Sequence, residues 1–129
     1  MPVSRVASSS PYAHVIGFCS AVRAGNLVFV AGTTAVDSSG AVIGGDDPYA
    51  QTQEALHKIS VVLAEAGTDL SHVVQTRMYL VRPEHWEHVG RAHREVFAEN
   101  PPAATMVVVA GLLDPRMLVE IEAVAHLVL

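Results

Sequence analysis

The sequence predicts an α+β fold in which one mixed β-sheet carries two helices on a single face. The elements read β, β-hairpin, α, β, α, β, β along 129 residues, with no linkers and no internal repeats. Half of the residues are hydrophobic, and 16% are charged against an average of roughly 25%. We therefore expect one domain, residues 1–129, with part of its surface buried against another subunit.

The N-terminal part of the sequence is typical of strands joined by tight turns. A short edge strand is predicted at 5–8, followed by a Ser- and Pro-rich loop at 9–12. Two apolar strands at 18–23 and 27–32 form a hairpin around the Ala-Gly-Asn turn at 24–26, because Gly and Asn tolerate positive φ.

A first helix is predicted from Pro48 to Ala66, after a loop at 37–47 that is rich in Gly, Asp and Ser. Asp47 is a capping carboxylate, Pro48 suits the first helical position, and Gly67 ends the helix. Apolar residues recur at a spacing of three to four and predict the buried side, with Glu54 and Lys58 paired at i,i+4. The polar residues expected on the solvent side are Gln51, Glu54, Lys58 and Glu65.

The second half continues with a strand, a helix and two further strands. The strand is predicted at 73–81, the helix begins at Pro83 with Glu84 in its first turn, and two prolines at 101–102 follow its end. The last strands are predicted at 104–112 and 118–128. One face of the strand at 73–81 should hold Val74, Thr76, Met78 and Leu80. The inner stripe of the helix that follows should consist of Trp86, Val89, His93, Val96 and Phe97.

Two strands are apolar on both faces, since residues 27–30 and 107–110 contain no polar side chain. Two helices can cover only one face of the sheet. A bare apolar second face would be a large exposed patch, so we expect a homo-oligomer that buries it.

The last strand carries two carboxylates, Glu120 and Glu122, within an apolar run. Their i,i+2 spacing places both on one face of the sheet, opposite Val119, Ile121 and Ala123. Glu120 is either an acid/base in a cleft or a solvated side chain, and Glu122 is expected at an intersubunit contact or in solvent.

Five segments together resemble the RidA/YjgF family, also called the L-PSP endoribonuclease-like family, and the resemblance spans nearly the whole chain. It implies a chorismate-mutase-like fold and a homotrimer with a barrel-like core, with small-molecule clefts between subunits. The segments are Gly17-Phe18-Cys19-Ser20-Ala21-Val22, Val28-Phe29-Val30-Ala31-Gly32-Thr33, Gln51-Thr52-Gln53-Glu54-Ala55-Leu56, Ala66-Gly67-Thr68-Asp69-Leu70 and Val119-Glu120-Ile121-Glu122-Ala123.

The resemblance implies deaminating hydrolysis of reactive imine or enamine intermediates to a 2-oxo acid and ammonia. Other members are described as ribonucleases, translation inhibitors or aminomuconate-type deaminases. In the imine-hydrolysing branch an arginine holds the substrate carboxylate, and the matching position here is Ala104. The glutamate of that branch is kept as Glu120. Its cysteine, tyrosine, serine and asparagine positions hold Met106, Phe18, Ala31 and Gly90.

The resemblance therefore implies Glu120 as the catalytic residue of a largely apolar cleft. Losing a buried bidentate charge contact costs about 2–5 kcal/mol of binding, so we do not expect efficient hydrolysis of 2-imino acids. The chain is either a hydrolase of an imine, an enamine or a related small metabolite, or a non-catalytic trimer that binds a small molecule or a partner. A ribonuclease or translation inhibitor is the less favoured alternative. The residues expected to line the substrate-binding cleft are Phe18, Cys19, Thr33, Ala104, Thr105 and Met106.

Three of the candidate residues keep a structural alternative. Thr105 either donates its hydroxyl to a ligand or follows the strand preference of β-branched residues. Arg116 either replaces the missing arginine or is a solvated turn residue. Cys19 is expected to line the core or the cleft, because no adjacent cation or helix N-terminus would lower its pKa.

Composition and spacing disfavour several other classes of protein. The net charge of −5 disfavours nucleic-acid binding. No third metal ligand is fixed by spacing beside His85 and His88, so we expect no metal site, and we expect no cofactor. One cysteine, no signal-peptide pattern in residues 1–17 and no apolar run of about 18 residues predict a cytoplasmic protein without membrane association.

Overall fold

The computed structural model of the protein describes residues 3–128. Six strands form one sheet, and three helices and two 3-10 turns connect them. The strands are β1 (Val3–Val6), β2 (Ala21–Ala24), β3 (Leu27–Thr33), β4 (Val73–Leu80), β5 (Ala103–Val108) and β6 (Val119–His126). The helices are α1 (Ala13–Ile16), α2 (Pro48–Ala66) and α3 (Trp86–Phe97), with 3-10 turns at Leu70–His72 and Pro83–His85.

The sheet is mixed, and its strand order is β1-β2-β3-β6-β4-β5. The pair β4–β5 is parallel, because α3 returns the chain to the same end of the sheet, and the other neighbours are antiparallel. The order of elements confirms the predicted α+β class. The last strand in the sequence lies in the middle of the sheet, between β3 and β4.

Both main helices lie on one face of the sheet, as predicted. Helix α2 packs against β3 and β6, and α3 packs against α2. Strand β6 shows the two faces clearly. Its buried residues Val119, Ile121, Ala123 and Ala125 alternate with the half-buried Glu120, Glu122 and Val124. We call the side of the sheet away from the helices the outer face.

Helix α2 begins and ends where the sequence predicts. The Asp47 carboxylate accepts a hydrogen bond from the Tyr49 N–H at 2.9 Å, and Pro48 occupies the first turn. Gly67 ends the helix with φ of 97°, a conformation that glycine adopts without a steric penalty.

The predicted solvent position of Gln51 is wrong, because its side chain is completely buried. Its Nε2 donates to the carbonyl oxygens of Gly45 at 2.6 Å and Arg116 at 2.9 Å, and its Oε1 accepts from the Leu118 N–H at 2.9 Å. These bonds satisfy both ends of the amide and join α2 to the segment that enters β6. The burial of this polar side chain therefore follows from contacts that lie 65 and 67 residues away in the sequence.

Lys58 also departs from the prediction, since it is half-buried rather than solvated. Its ammonium donates to the carbonyl oxygens of Thr34 at 2.8 Å and Val36 at 2.6 Å instead of pairing with Glu54. Lys58 thus holds the segment after β3 against α2.

Strand β4 and helix α3 bury a different set of side chains from the one predicted. Val74 is exposed, because a register shift between Val73 and Gln75 adds a residue to the strand and reverses its alternation there. Trp86 and Val96 are exposed as well, in the first and last turns of α3. His93 of the predicted stripe is half-buried, and its Nε2 lies 2.9 Å from the Thr76 hydroxyl.

The N-terminal strands are shorter or shifted relative to the predicted ranges. Strand β1 ends at Val6, and β2 begins at Ala21 rather than at 18. The short helix α1 lies in a segment where the sequence predicts no helix. It buries Ala13 and ends at Gly17 with φ of 89°. Residues 18–20 follow this helix and are not part of the strand.

The outer face of the sheet leaves large apolar side chains uncovered. Leu27, Phe29 and Val107 are 40%, 45% and 42% exposed, whereas their neighbours Val28 and Val30 are buried against the helices. The two-sided apolar character predicted for β3 is confirmed. Among residues 3–128, no helix is long and apolar enough to cross a membrane.

Replacing Gln51 by leucine tests the link between α2 and β6. Gln51→Leu leaves the Leu118 N–H and two carbonyl oxygens without their partner, and each buried unsatisfied group costs about 1–3 kcal/mol. We expect the free energy of unfolding to fall by about 2–5 kcal/mol, measured by urea denaturation. The exposed Gln53 is the matched control, and Gln53→Leu should change stability by less than about 1 kcal/mol. Equal stability of the two variants would contradict the proposed role of Gln51.

Candidate functional site

Glu120 lies on the outer face of β6, against the backbone of Gly32 in β3. A Cβ added at Gly32 would lie 2.8 Å from the Glu120 Oε2 and 2.9 Å from its carboxyl carbon. The pairing of β3 with β6 is irregular between Val30 and Thr33, and this irregularity places the glycine beside the carboxylate. Only a residue without a side chain leaves room for Glu120 in this position.

The environment of Glu120 favours its protonated form. Burial raises the pKa of the Glu120 carboxyl, and the neighbouring charge of Glu122 adds to the effect. A raised carboxyl pKa is one of the properties expected of a general acid/base.

Glu122 is held differently from Glu120, although both lie on the same face. It accepts a hydrogen bond from the Tyr79 hydroxyl and lies 3.6 Å from the Arg77 Nη1. The hydrogen bond to Glu122 and partial burial raise the pKa of the Tyr79 phenol. Glu122 is therefore tied into a polar cluster on β4 and β6, which fits a structural role.

A cavity of about 370 Å³ lies between residues 6–12, the end of β3 and one side of α2. We call it the α2 cavity. Phe18 and Thr33, two of the predicted cleft residues, line it together with Ala31 and Gly32. Gly32 thus contributes to the cavity wall and contacts the Glu120 carboxylate. The other polar lining residues are Ser8, Ser9, Ser10, Tyr12, Ser20, Thr34, Asp37, His57, Lys58 and Glu65.

The predicted residues on β5 lie away from Glu120 within one chain. Strand β5 is the edge strand two places from β6, which corresponds to roughly 10 Å between strand axes. Met106 pairs with the buried Met78, so it shares the helix-covered face with Ala104. Thr105 pairs with Arg77 and lies on the outer face, the same face as Glu120.

Cys19 and Arg116 are engaged in local contacts. The Cys19 thiol donates to the Ala21 carbonyl oxygen at 3.4 Å and does not line the α2 cavity. The Arg116 guanidinium binds the Asp114 carboxylate through Nε at 2.9 Å and Nη2 at 2.7 Å, and it also donates to the Gly40 carbonyl oxygen. The Arg116 hydrogen bonds lower the pKa of Asp114 to about 2. This geometry favours a structural role for Arg116 in the turn over its use as a substitute for the missing arginine.

Comparisons with known proteins place this arrangement in a family. The family model described as Endoribonuclease L-PSP matches residues 7–127. The chain belongs to the RidA/YjgF (endoribonuclease L-PSP) family. A RutC family protein of Pyrococcus abyssi is 33% identical over 110 residues, which are 84% of this chain and 85% of that protein.

Two further relatives cover nearly the whole RidA/YjgF fold. An uncharacterised protein of Streptomyces coelicolor is 41% identical over 124 residues, 96% of this chain and 92% of that protein. The crystal structure of a YjgF/YER057c/UK114 family member from Mycobacterium tuberculosis matches with a TM-score of 0.88 and 40% identity. That match covers 98% of this chain and 100% of the other. The fold of the family is therefore the fold of this protein.

Two residues near the cavity, Gly32 and Lys58, are not predicted from the sequence of this RidA/YjgF member. The position of Gly32 beside Glu120 depends on strand pairing. Helical periodicity predicts a solvent position for Lys58, which the structure places in the cavity wall. One signal was available, because Lys58 is the only lysine in the sequence, while the other cationic side chains are arginines.

Substituting Gly32 tests whether its missing side chain positions Glu120. Gly32→Ala places a methyl group 2.8 Å from the Glu120 Oε2, so the carboxylate must move. Gly32 does not have positive φ, and alanine therefore causes no backbone strain at this position. We expect any activity or ligand binding that depends on Glu120 to fall at least about tenfold. A crystal structure of the variant should show a changed Glu120 rotamer.

The matched control is Gly111→Ala, at a glycine where an added Cβ would meet nothing within 4 Å. An unmoved Glu120 in the Gly32→Ala structure would refute the positioning role of the glycine.

Proposed function

We propose that the protein is a homotrimer whose intersubunit clefts bind a small metabolite and hydrolyse an imine or enamine bond in it. Glu120 acts as the general acid/base. The observation that carries this proposal is a carboxyl group with a raised pKa, packed against a glycine that also lines a ligand-sized cavity. Membership of the RidA/YjgF family supports the reaction class.

The assembly completes the cleft in this proposal. Within one chain, Glu120 and the β5 residues lie on different strands, and Ala104 and Met106 face the opposite side of the sheet. Strand β5 is an edge strand, and its residues Ala104 and Thr105 are exposed in the single chain. An edge with exposed side chains can line a cleft formed with a second copy. The uncovered apolar outer face supplies a surface for that contact.

The chemistry moves two protons from oxygen to nitrogen at one place. Water adds to the imine carbon while the Glu120 carboxylate accepts one of its protons, and Glu120 passes that proton to the nitrogen, which gives a carbinolamine. Glu120 then accepts the proton of the carbinolamine hydroxyl as the C=O bond forms, and it donates this proton to the nitrogen as the C–N bond breaks. The C=N bond is replaced by C=O, and the products are a carbonyl compound and ammonia. The raised pKa of Glu120 favours a carboxyl group that both accepts and returns a proton.

The selectivity differs from that of an enzyme with an arginine in the cleft. Ala104 offers neither charge nor donors for a substrate carboxylate, whereas an arginine would bind it bidentately. We therefore propose that the protein accepts a wider or different class of substrates. It should not efficiently turn over substrates that need a bidentate arginine contact. The net charge of −5 disfavours RNA as a substrate.

A second candidate function is non-catalytic binding of a small metabolite by the same trimer. The observation that favours it is the apolar character of β5, since Ala104 and Met106 remove the polar groups that would orient a substrate. The two functions share the cleft and differ in turnover.

An assay against imines generated in situ separates these functions. Imines and enamines are released by an amino-acid-processing enzyme, and their rate of conversion to carbonyl product is measured with and without this protein. We expect acceleration by the wild type and a loss of about 100-fold or more in Glu120→Gln, because general acid/base catalysis contributes roughly 10²–10⁴-fold. The exposed Glu99 provides the control variant Glu99→Gln, which should retain the wild-type rate.

The outcome decides between the candidates. Glu120→Gln with wild-type activity would disprove the mechanism. A wild-type protein that shows ligand-induced thermal stabilisation and no turnover would support the binding function instead.

The proposed assembly is tested by multi-angle light scattering. We expect a molar mass three times the 13.7 kDa of one chain. Phe29→Asp places a charge on the apolar outer face and should shift the mass toward that of the monomer. Val15→Asp, at an exposed position on α1, should leave the trimer intact. A wild-type monomer at micromolar concentration would refute the assembly.

A further inference from the structure

Thr34 carries a hydroxyl group whose burial is not compensated within the protein. The residue is 9% exposed and lines the α2 cavity. Its carbonyl oxygen accepts from Lys58, but its hydroxyl has no hydrogen-bond partner within residues 3–128. Among the side-chain atoms of these residues that are sealed from solvent, only the His85 Nδ1 is without a partner. The Thr34 oxygen is therefore reached from the cavity.

The other buried threonines show that this hydroxyl is an exception. Buried polar side chains are generally hydrogen-bonded, and Thr52, Thr68 and Thr76 follow that rule. Their hydroxyls lie 2.7, 2.7 and 2.9 Å from the Pro48 carbonyl oxygen, the His126 carbonyl oxygen and the His93 Nε2. Thr34 thus differs from them by facing a cavity without a partner.

Lys58 brings a further donor to this part of the cavity wall. Its Nζ donates to the carbonyl oxygens of Thr34 and Val36, at 2.8 and 2.6 Å. A lysine ammonium has three N–H donors and no acceptor. Residues 3–128 supply acceptors for two of them, so the third is available to a molecule in the cavity.

Asp37 brings an acceptor to the same wall. Its Oδ1 accepts from the Ser39 N–H, the Ser39 hydroxyl and the Ala41 N–H, whereas its Oδ2 has no such bond within residues 3–128. The hydrogen bond from the Ser39 hydroxyl, with smaller contributions from the loop backbone, lowers the pKa of Asp37, so the group is a carboxylate at neutral pH. The wall therefore carries an anion and a cation together.

This pairing of charges disfavours a charged ligand group. A ligand carboxylate beside Lys58 would also face Asp37, a ligand ammonium beside Asp37 would face Lys58, and like charges brought together are unfavourable. A hydroxyl group both donates and accepts. It can accept from Lys58 and donate to Asp37 or Thr34, so hydroxyls on adjacent carbons would satisfy all three side chains.

The rest of the wall suits the carbon skeleton of such a ligand. The half-buried rings of Tyr12 and Phe18 and the side chains of Val6 and Val62 offer contacts for C–H groups. Serine hydroxyls from residues 8–10 lie on the same wall. A cavity of about 370 Å³ is at the small end of the roughly 300–1,000 Å³ typical of ligand sites. Its size fits one sugar ring rather than an oligosaccharide.

We propose that the α2 cavity binds a neutral polyol of the size of a monosaccharide through Thr34, Lys58 and Asp37. This site goes beyond the proposed function, because Glu120 lies on the outer face and does not line the cavity. The polyol is bound without being changed. Phe18 and Thr33 line the cavity and were also predicted for the cleft, so the polyol lies beside the cleft.

Binding is measured by NMR titration of the wild-type protein with D-glucose, D-galactose and D-xylose. At least one sugar should shift the amide signals of residues 33–37 saturably, with a Kd of about 1 mM or lower. Saturation distinguishes a site from the general effect of an excluded osmolyte. Cyclohexanol, a ring of similar size with one hydroxyl, should produce no saturable shift of these signals. If none of the three sugars saturates, the inference is wrong.

Charged derivatives test why the ligand should be neutral. The uronate and the 2-amino derivative of glucose and galactose add a carboxylate or an ammonium to the same ring. Each should bind at least about tenfold more weakly than its neutral parent, because it meets a like charge at Asp37 or Lys58. A uronate or an amino sugar that binds more tightly than its parent would refute the assignment.

Thr34→Val tests the buried hydroxyl with a side chain of similar shape. Because this hydroxyl has no partner in residues 3–128, the variant should be at least as stable as the wild type in urea, while sugar binding weakens about tenfold. Thr52→Val is the control: it removes a buried, bonded hydroxyl outside the cavity wall. It should lower stability and leave the sugar affinity unchanged. Wild-type affinity in Thr34→Val would overturn the inference.

The outcome is independent of the proposed function, because no imine is used. Saturable sugar binding without imine turnover would uphold this inference and count against the hydrolase. Turnover that depends on Glu120 without sugar binding would do the reverse. If a variant does not fold, the comparison of neutral and charged sugars on the wild type decides.

Discussion

The buried amide of Gln51 is the contact on which the geometry of the candidate site depends. It joins α2 to the residues that enter β6, and β6 is the central strand that pairs with both β3 and β4. Because a slip of one residue would turn every side chain of β6 to the other face, this entry point fixes which carboxylates reach the outer face. A polar residue in the core thus specifies register, and it does so at little cost because its hydrogen bonds are complete.

The close approach of Gly32 and Glu120 has a thermodynamic cost. Placing a carboxylate against backbone raises its pKa, so its ionised form is disfavoured relative to the unfolded chain. An apolar side chain at this position would avoid the penalty. Glu122, which has Tyr79 and Arg77 as partners, shows how a hydrogen bond and a nearby cation stabilise a carboxylate on the same face.

Local chemistry predicted much of the fold, and non-local contacts explain the rest. Asp47, Pro48 and Gly67 define α2 through short-range capping, and the alternation in β6 follows from the period of a strand. Gln51 and Lys58 were misplaced because their acceptors lie far along the chain, and polarity alone does not show that a buried amide is satisfied. Of the candidate site, Glu120, Phe18 and Thr33 came from the family resemblance. Their distance from Ala104 depends on the order of the strands in the sheet, which local sequence patterns do not predict.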